Sequence, residues 1–181
     1  MRCAWADSSK EMQVYHDSEW GKIDKDERYL FEMLSLELSQ AGLSWSTILK
    51  RRAGYKEVFD DFDINKVADY SDEKVAQLLT DKKIIRNKLK VNAIVNNARQ
   101  IRKMHDDGRT FSEYIWNFVD NKQIIHHIKT MDEVPAQDEL SQKISKDLKK
   151  RGFKFIGPTI VYSFLQAIGV INDHLDSCDF K

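Results

Sequence analysis

Helix breakers are scarce in this chain: its 181 residues include seven glycines and two prolines, together about half of average usage. A sequence so short of turn formers is poorly equipped for the many reversals of a β-sandwich or barrel, and it favours long helices. The apolar spacing agrees. Between Glu27 and Gln40, Leu30, Phe31, Leu34 and Leu38 recur at helical intervals, and Ala41 continues the series. A break at Ala41-Gly42-Leu43-Ser44 precedes a second helix over 47–52. Residues 63–68 and 71–79 read as two short helices, the latter with Ser71 as N-cap. Residues 88–104 place Leu89, Ala93, Ile94, Ala98 and Ile101 on one stripe. A further helix is expected over 111–118. The stretch 124–139, with Pro135, is the longest expected loop, and 141–150 is a basic helix. Pro158 then opens an apolar helix over 159–171. No stretch alternates with period two, so the expected fold class is all-α. Length and a hydrophobic fraction of 41% suit one compact domain over 1–181 or two small intertwined helical lobes.

The longest apolar stretch, 159–171, contains Tyr162, Ser163 and Gln166 and is too short to span a bilayer. The opening MRCAWADSSKEM lacks the apolar core of a secretion signal. Two cysteines far apart in sequence fit a reducing compartment without a structural disulfide. The expected location is therefore cytoplasmic, away from membranes. Basic and acidic residues balance at 29 each, which argues against coating nucleic acid by bulk charge. The charge is uneven, however. Lys146, Lys149, Lys150, Arg151 and Lys154 form one basic run, Lys82, Lys83, Arg86, Lys88 and Lys90 a second, and Lys50, Arg51 and Arg52 a third. Each is either a solvated helix face or part of a phosphate-binding surface.

Glu37 lies seven residues after Leu30 and three after Leu34, on their apolar face. A buried carboxylate must be protonated, paired or hydrogen-bonded. Glu37 therefore either caps a loop or pairs with a Lys or Arg, or it is held ready for a cationic or hydrogen-bond-donating ligand. Trp5, Tyr15, Trp20 and Trp45 flank it in the first quarter of the chain. They are core residues, or the walls of a site for a flat positive ring, each face attracting a cation by about 0.5–2 kcal/mol. Cys3, His16, His174 and Cys178 are either inert thiols and ordinary histidines, or a closed tetrahedral zinc site tying the two ends of the chain together. His174 and Cys178, spaced i, i+4, would share one side of a helical turn, while a loop-sized gap separates Cys3 from His16. Finally, Arg151-Gly-Phe-Lys-Phe-Ile-Gly157 joins a basic helix to an apolar one. It makes a plain turn, or a hairpin whose backbone N–H groups approach phosphate.

Four segments together carry a resemblance: Tyr15-His-Asp-Ser-Glu-Trp-Gly21, Leu36-Glu-Leu-Ser-Gln-Ala-Gly-Leu-Ser-Trp45, Arg151-Gly-Phe-Lys-Phe-Ile-Gly-Pro158 and Asn172-Asp-His174. In order and spacing they resemble the 3-methyladenine DNA glycosylase I family, a bacterial branch of the helix-hairpin-helix DNA glycosylases, from Cys3 to Cys178. The resemblance implies two closely packed helical lobes. It implies base excision repair on double-stranded DNA containing 3-methyladenine, by base flipping and hydrolysis of the N-glycosidic bond. Free base is released and an abasic site remains, without a covalent lysine intermediate or strand cleavage.

The resemblance also implies roles for particular residues. Cys3, His16, His174 and Cys178 would hold a structural Zn2+. Glu37 would be the acidic residue of the base pocket and the catalytic candidate, with Tyr15 and Trp45 against the ring and Trp5 and Trp20 nearby. Leu43 would press into the DNA stack, and Arg151, Gly152, Lys154 and Gly157 would belong to the hairpin that grips the backbone. Lys82 and Lys83 stand where some relatives carry small residues, so the local turn there is expected to differ. Helix-hairpin-helix glycosylases commonly use an Asp downstream of the hairpin; Asp173 lies in that region but adjoins His174 and is not assigned the role. Nothing calls for more than a monomer. Two rival readings are a zinc-stabilised module that recognises damaged DNA without turnover, and an interaction scaffold with Glu37 and the aromatics in its core.

Overall fold

The computed structural model describes residues 1–181 and is predominantly helical. Its helices are α1 (Lys10–Ser18), α2 (Glu27–Gln40), α3 (Trp45–Val58), α4 (Ile64–Ala68), α5 (Asp72–Leu78), α6 (Lys88–Asp106), α7 (Phe111–Trp116), α8 (Glu139–Lys150) and α9 (Pro158–Ala167). One departure from an all-helical chain is small: Ile124–Ile125 (β1) pairs in parallel with Ile171–Asn172 (β2).

With so few glycines and prolines, capping side chains do the punctuating. Ser9, Asp26, Ser44, Asp63, Ser71, Asn87, Thr110 and Asp138 each accept a backbone N–H at the start of a helix, and α9 instead opens on Pro158. The Ser71 cap and the break at residues 41–44 are where the sequence places them.

The hub is α2, which packs against α3, α6, α7 and α9. Every residue from Leu30 to Ser39 is buried, so the helix is enclosed on all sides. Its serines do not go unsatisfied there: Ser35 Oγ donates to Phe31 O at 2.7 Å and Ser39 Oγ to Ser35 O at 2.7 Å. The last carbonyls of α2 are met by Lys90 Nζ, 2.9 Å from Ser39 O and 2.6 Å from Ala41 O. A cation on the C-terminal carbonyls of a helix is favoured by the helix dipole.

Lys90 was expected on a basic surface run and is instead buried, because α6 turns it inward against the end of α2. Leu89 departs in the opposite sense and is 70% exposed. The buried face of α6 centres on Val91, Ile94, Ala98 and Ile101, and at about 100° per residue Leu89 falls on the far side.

Other boundaries moved for similar local reasons. The second helix runs from Trp45 to Val58, beyond the expected 47–52. The apolar helix stops at Ala167, where Gly169 (φ +74°) reverses the chain into β2. A Cβ at Gly169 would lie 2.2 Å from Lys22 O, so only glycine fits. The expected loop 124–139 contains β1 and a single 3-10 turn, Met131–Glu133. The ends of the chain meet: Asp179 N donates to Met1 O at 2.9 Å, and the Met1 amine pairs with the Asp179 carboxylate.

Candidate functional site

Glu37 sits on the inner face of α2, 3% exposed, with no hydrogen bond to either carboxylate oxygen. The cations nearest in role are occupied elsewhere. Arg52 donates to Glu19 Oε1 (2.8 Å) and Glu32 Oε1 (2.7 Å), and Lys90 caps α2. Glu37 is therefore neither a loop cap nor half of an ion pair. Burial alone pushes its carboxyl up to about 8.

It faces a cavity of about 310 Å³ that is also lined by Trp5, Tyr15, Trp20 and Trp45, so the structure brings the aromatic set and the carboxylate into one chamber. Tyr15 and Trp45 have ring centroids 5.3 Å apart, and Trp5 meets Trp20 edge-on at 5.0 Å. Trp45 Nε1 is buried without a partner, a second polar atom left unpaired in this wall. Burial, with the Glu37 charge second, holds the Tyr15 phenol well above its ordinary value, so it stays a neutral hydrogen-bonding face. An unpaired carboxylate framed by aromatic rings is complementary to a flat cation with N–H donors.

Behind Trp5 and Trp20 lie Cys3, His16, His174 and Cys178, all buried, with their ligand atoms within 4.8 Å of one another. His174 Nδ1 is 3.3 Å from Cys178 Sγ and 3.9 Å from Cys3 Sγ, while His16 Nε2 is 3.6 Å from Cys178 Sγ. The outer ring nitrogens are tied off. His16 Nδ1 donates to Asp17 Oδ1 (2.8 Å) and His174 Nε2 to Trp20 O (2.8 Å), so the other nitrogen of each ring turns a lone pair inward. Asp17 is held in turn by Arg2, whose hydrogen bonds keep its carboxyl down at about 2.

Four soft or borderline donors at these spacings can hold a metal ion. With protein atoms alone, burial drives the Cys3 thiol up to about 11 and the His174 imidazole down to about 4, both towards neutrality. A cation would reverse that trend at sulfur. The i, i+4 pair His174 and Cys178 is brought together by a turn after β2, not by a helical turn. The gap between Cys3 and His16 is not a loop but a 3-10 turn, Ala4–Ser8, followed by α1.

Residues 151–157 form a compact turn between α8 and α9. Asn97 clamps it, accepting from Lys154 N (2.8 Å) and donating to Lys154 O (3.0 Å). Phe153 and Ile156 are buried while Lys154 and Phe155 face outward. Gly152 adopts φ +89°. The backbone N–H groups of Phe155, Ile156 and Gly157 have no acceptor within the protein. Arg151 is paired with Asp147 (2.9 Å) and lies over the Tyr114 ring. Leu43, in the link from α2 to α3, is 39% exposed.

Comparison with known proteins is decisive on kinship. The family profile for methyladenine glycosylase matches residues 5–181. The chain belongs to the methyladenine glycosylase family. It is similar to DNA-3-methyladenine glycosylase 1 of Escherichia coli K12, with 45% identity over 177 residues, covering 98% of this chain and 95% of that protein. It is 42% identical over 180 residues to the DNA-3-methyladenine glycosylase of Haemophilus influenzae, covering 99% and 97%. Among solved structures, a crystal structure of 3-methyladenine DNA glycosylase I superposes with a TM-score of 0.96 at 44% identity, covering 99% and 98%.

In this methyladenine glycosylase, the cavity is also lined by Met12, Gln40, Met131, Val134, Ser163 and Gln166, none of which the sequence assigns to the site. Two signals pointed to some of them. Gln40 stands one turn beyond Glu37 on the same helix face, and Ser163 and Gln166 interrupt an otherwise apolar helix. Asp173 does not line the cavity; it is wholly buried and its carboxylate is occupied by His126, Tyr162 and Gln166.

Proposed function

We propose that this protein excises 3-methyladenine from alkylated DNA, with the Glu37 chamber as the receptor for the flipped base. The observation that carries this reading is a buried carboxylate without a protein partner, enclosed by four aromatic residues, in a member of the methyladenine glycosylase family. Methylation at N3 makes the nucleobase cationic and a good leaving group. In the chamber the ring stacks on the Tyr15 and Trp45 faces, and Trp5 and Trp20 close the side. Burial raises the Glu37 carboxyl to about 8; entry of the cation favours its ionised form, the proton passing to solvent, and the carboxylate accepts hydrogen bonds from the amino edge. Neutral adenine brings no charge to offset desolvation of that carboxylate, so undamaged bases gain too little to remain flipped out.

Water adds to C1′ as the C1′–N9 bond breaks. The base departs as neutral 3-methyladenine, the new hydroxyl stays on the sugar, and one proton goes to solvent. No lysine lines the chamber, which fits a monofunctional hydrolysis without an imine to the protein.

DNA is held in double-stranded form by a helix-hairpin-helix element, α8–turn–α9. The free N–H groups of residues 155–157 and the start of α9 take a phosphate, Lys154 adds charge, Gly157 leaves open space where a side chain would stand, and Gly152 supplies the positive φ the turn needs beside Gln100. Arg151, tied to Asp147, contributes positive potential at the edge rather than a free fork. Leu43 fills the space the flipped nucleotide leaves. Cys3, His16, His174 and Cys178 would hold Zn2+, and four protein ligands would give it a structural role that ties the two ends of the chain together. A monomer suffices for all of this, acting in the cytoplasm.

Mass spectrometry of bases released from methylated duplex DNA tests the function directly. Release of 3-methyladenine above the spontaneous rate is expected. Binding to the duplex without release would instead leave a recognition module.

A further inference from the structure

Asp173 is a second buried carboxylate, and unlike Glu37 it is saturated. Oδ2 accepts from Tyr162 OH and Gln166 Nε2, each at 2.7 Å, and Oδ1 lies 2.6 Å from His126 Nδ1. A carboxylate offers only acceptors to these groups, so Gln166 must give it the NH2 end of its amide. The stem of Gln166 is fixed as well, because its backbone carbonyl accepts from Gly21 N at 2.9 Å. What remains is Oε1. It receives no hydrogen bond from the protein, it is not sealed among the unpartnered buried atoms, and Gln166 lines the same chamber as Glu37.

We propose that Gln166 is a second base-recognition residue, presenting its amide oxygen to the chamber, and that Asp173 is the positioning residue that forbids the amide from turning over. This deepens the reading of the chamber as a base site and rests on it. Glu37 rises from α2 and Gln166 from α9, two helices packed against each other, so two acceptors of different charge meet the ligand from two sides. A purine carrying an amino group at its six-position supplies donors to such a pair. A six-oxo purine places a carbonyl oxygen there and leaves an acceptor facing an acceptor. The specificity class is therefore the alkylated 6-aminopurine, and a site that hydrogen-bonds its ligand rejects the analogue that cannot reciprocate. Tyr162 and His126 act one step further back, holding Asp173 in place.

Binding of free 3-methyladenine and 3-methylhypoxanthine, followed by tryptophan fluorescence, tests this in the full-length protein. Gln166→Met, close in length and only a weak acceptor, should weaken 3-methyladenine about tenfold while leaving 3-methylhypoxanthine little changed. Asp173→Asn releases the constraint on the amide and should narrow the preference between the two bases by a similar factor. The double variant should lose no more than Gln166→Met alone, because the two residues act as one unit. A merely structural Asp173 would depress both ligands alike and leave their ratio intact. An unchanged ratio in Gln166→Met, with Glu37→Gln weakened, overturns the role of Gln166 alone. If neither Gln166→Met nor Glu37→Gln alters binding, the chamber is not the base site and both readings fall.

Discussion

Trp5 and Trp20 separate two polar regions that are built on opposite plans. On one side, both histidines of the Cys/His cluster have their outer nitrogens assigned, to Asp17 and to the Trp20 carbonyl, and four inner donor atoms converge on one point. On the other, Glu37 and the Trp45 indole N–H are buried with no partner at all. Buried polar groups normally find partners, and the exceptions need a reason. The cluster can satisfy all four donors with one metal ion, and in the function proposed above that ion stabilises the fold. The chamber keeps a buried carboxyl and an indole N–H unpaired beside open space, at a cost to the fold, and in the function proposed above the ligand supplies their partner.

The contrast can be broken most forcefully from the cluster side. Removing metal with a chelator, or substituting Cys178→Ser, should lower stability by about 5 kcal/mol, or roughly 10–20 °C in Tm for a chain of this size. Elemental analysis that found no stoichiometric metal in protein purified without chelator would show that the four side chains do not form a metal site. From the chamber side, Glu37→Gln should reduce excision of 3-methyladenine by about 100- to 1,000-fold, on the order of 3–4 kcal/mol of transition-state stabilisation. Near-wild-type release would overturn the pocket assignment.

The same substitution should act in the opposite sense on stability. The folded-state pKa of Glu37 is raised from 4.5 to about 8, so the fold prefers the neutral carboxyl. That preference is fully present below pH 4.5, erodes as pH rises, and is gone once pH has passed about 8. Glu37→Gln removes the penalty, and at pH 8–9 the variant should be more stable than the parent, by on the order of 3 kcal/mol. Parallel pH–Tm curves for the two proteins would show that Glu37 is better solvated than its surroundings indicate. The smallest effect belongs to the hairpin. Lys154→Ala should weaken duplex binding by about threefold and reduce the salt slope by about one, with free-base binding untouched.

How much of this was legible beforehand depended on whether the signal was local. The run from Leu30 to Leu38 spells out α2 through its own spacing, and Ser71 and Pro158 mark helix starts through their own chemistry. Glu37 could be placed on the buried face by counting along one helix. Lys90 could not, because its partners are carbonyls about 50 positions earlier, and a lysine in a basic run gives no hint of pointing inward. Met131 and Val134 were equally hidden: they reach the chamber from a segment without periodicity, positioned by tertiary packing. The polar breaks at Tyr162, Ser163 and Gln166 were visible as reasons the helix could not cross a bilayer. Their use, holding Asp173 and lining the chamber, appears only when α9 is set against α2. The convergence of Cys3, His16, His174 and Cys178 rested on resemblance, since spacing alone suggested a helical turn that is not there.

The wall between cluster and chamber bears on how the protein is made. His16 and Cys178 are 162 positions apart in the chain, yet His16 and His174 brace the two tryptophans from behind. On a ribosome, the N-terminal aromatics emerge long before the segment that pins them. The chamber draws its lining from Trp5 at one end of the chain to Ser163 and Gln166 near the other, so a nascent chain carries its aromatic wall well before it can assemble the receptor.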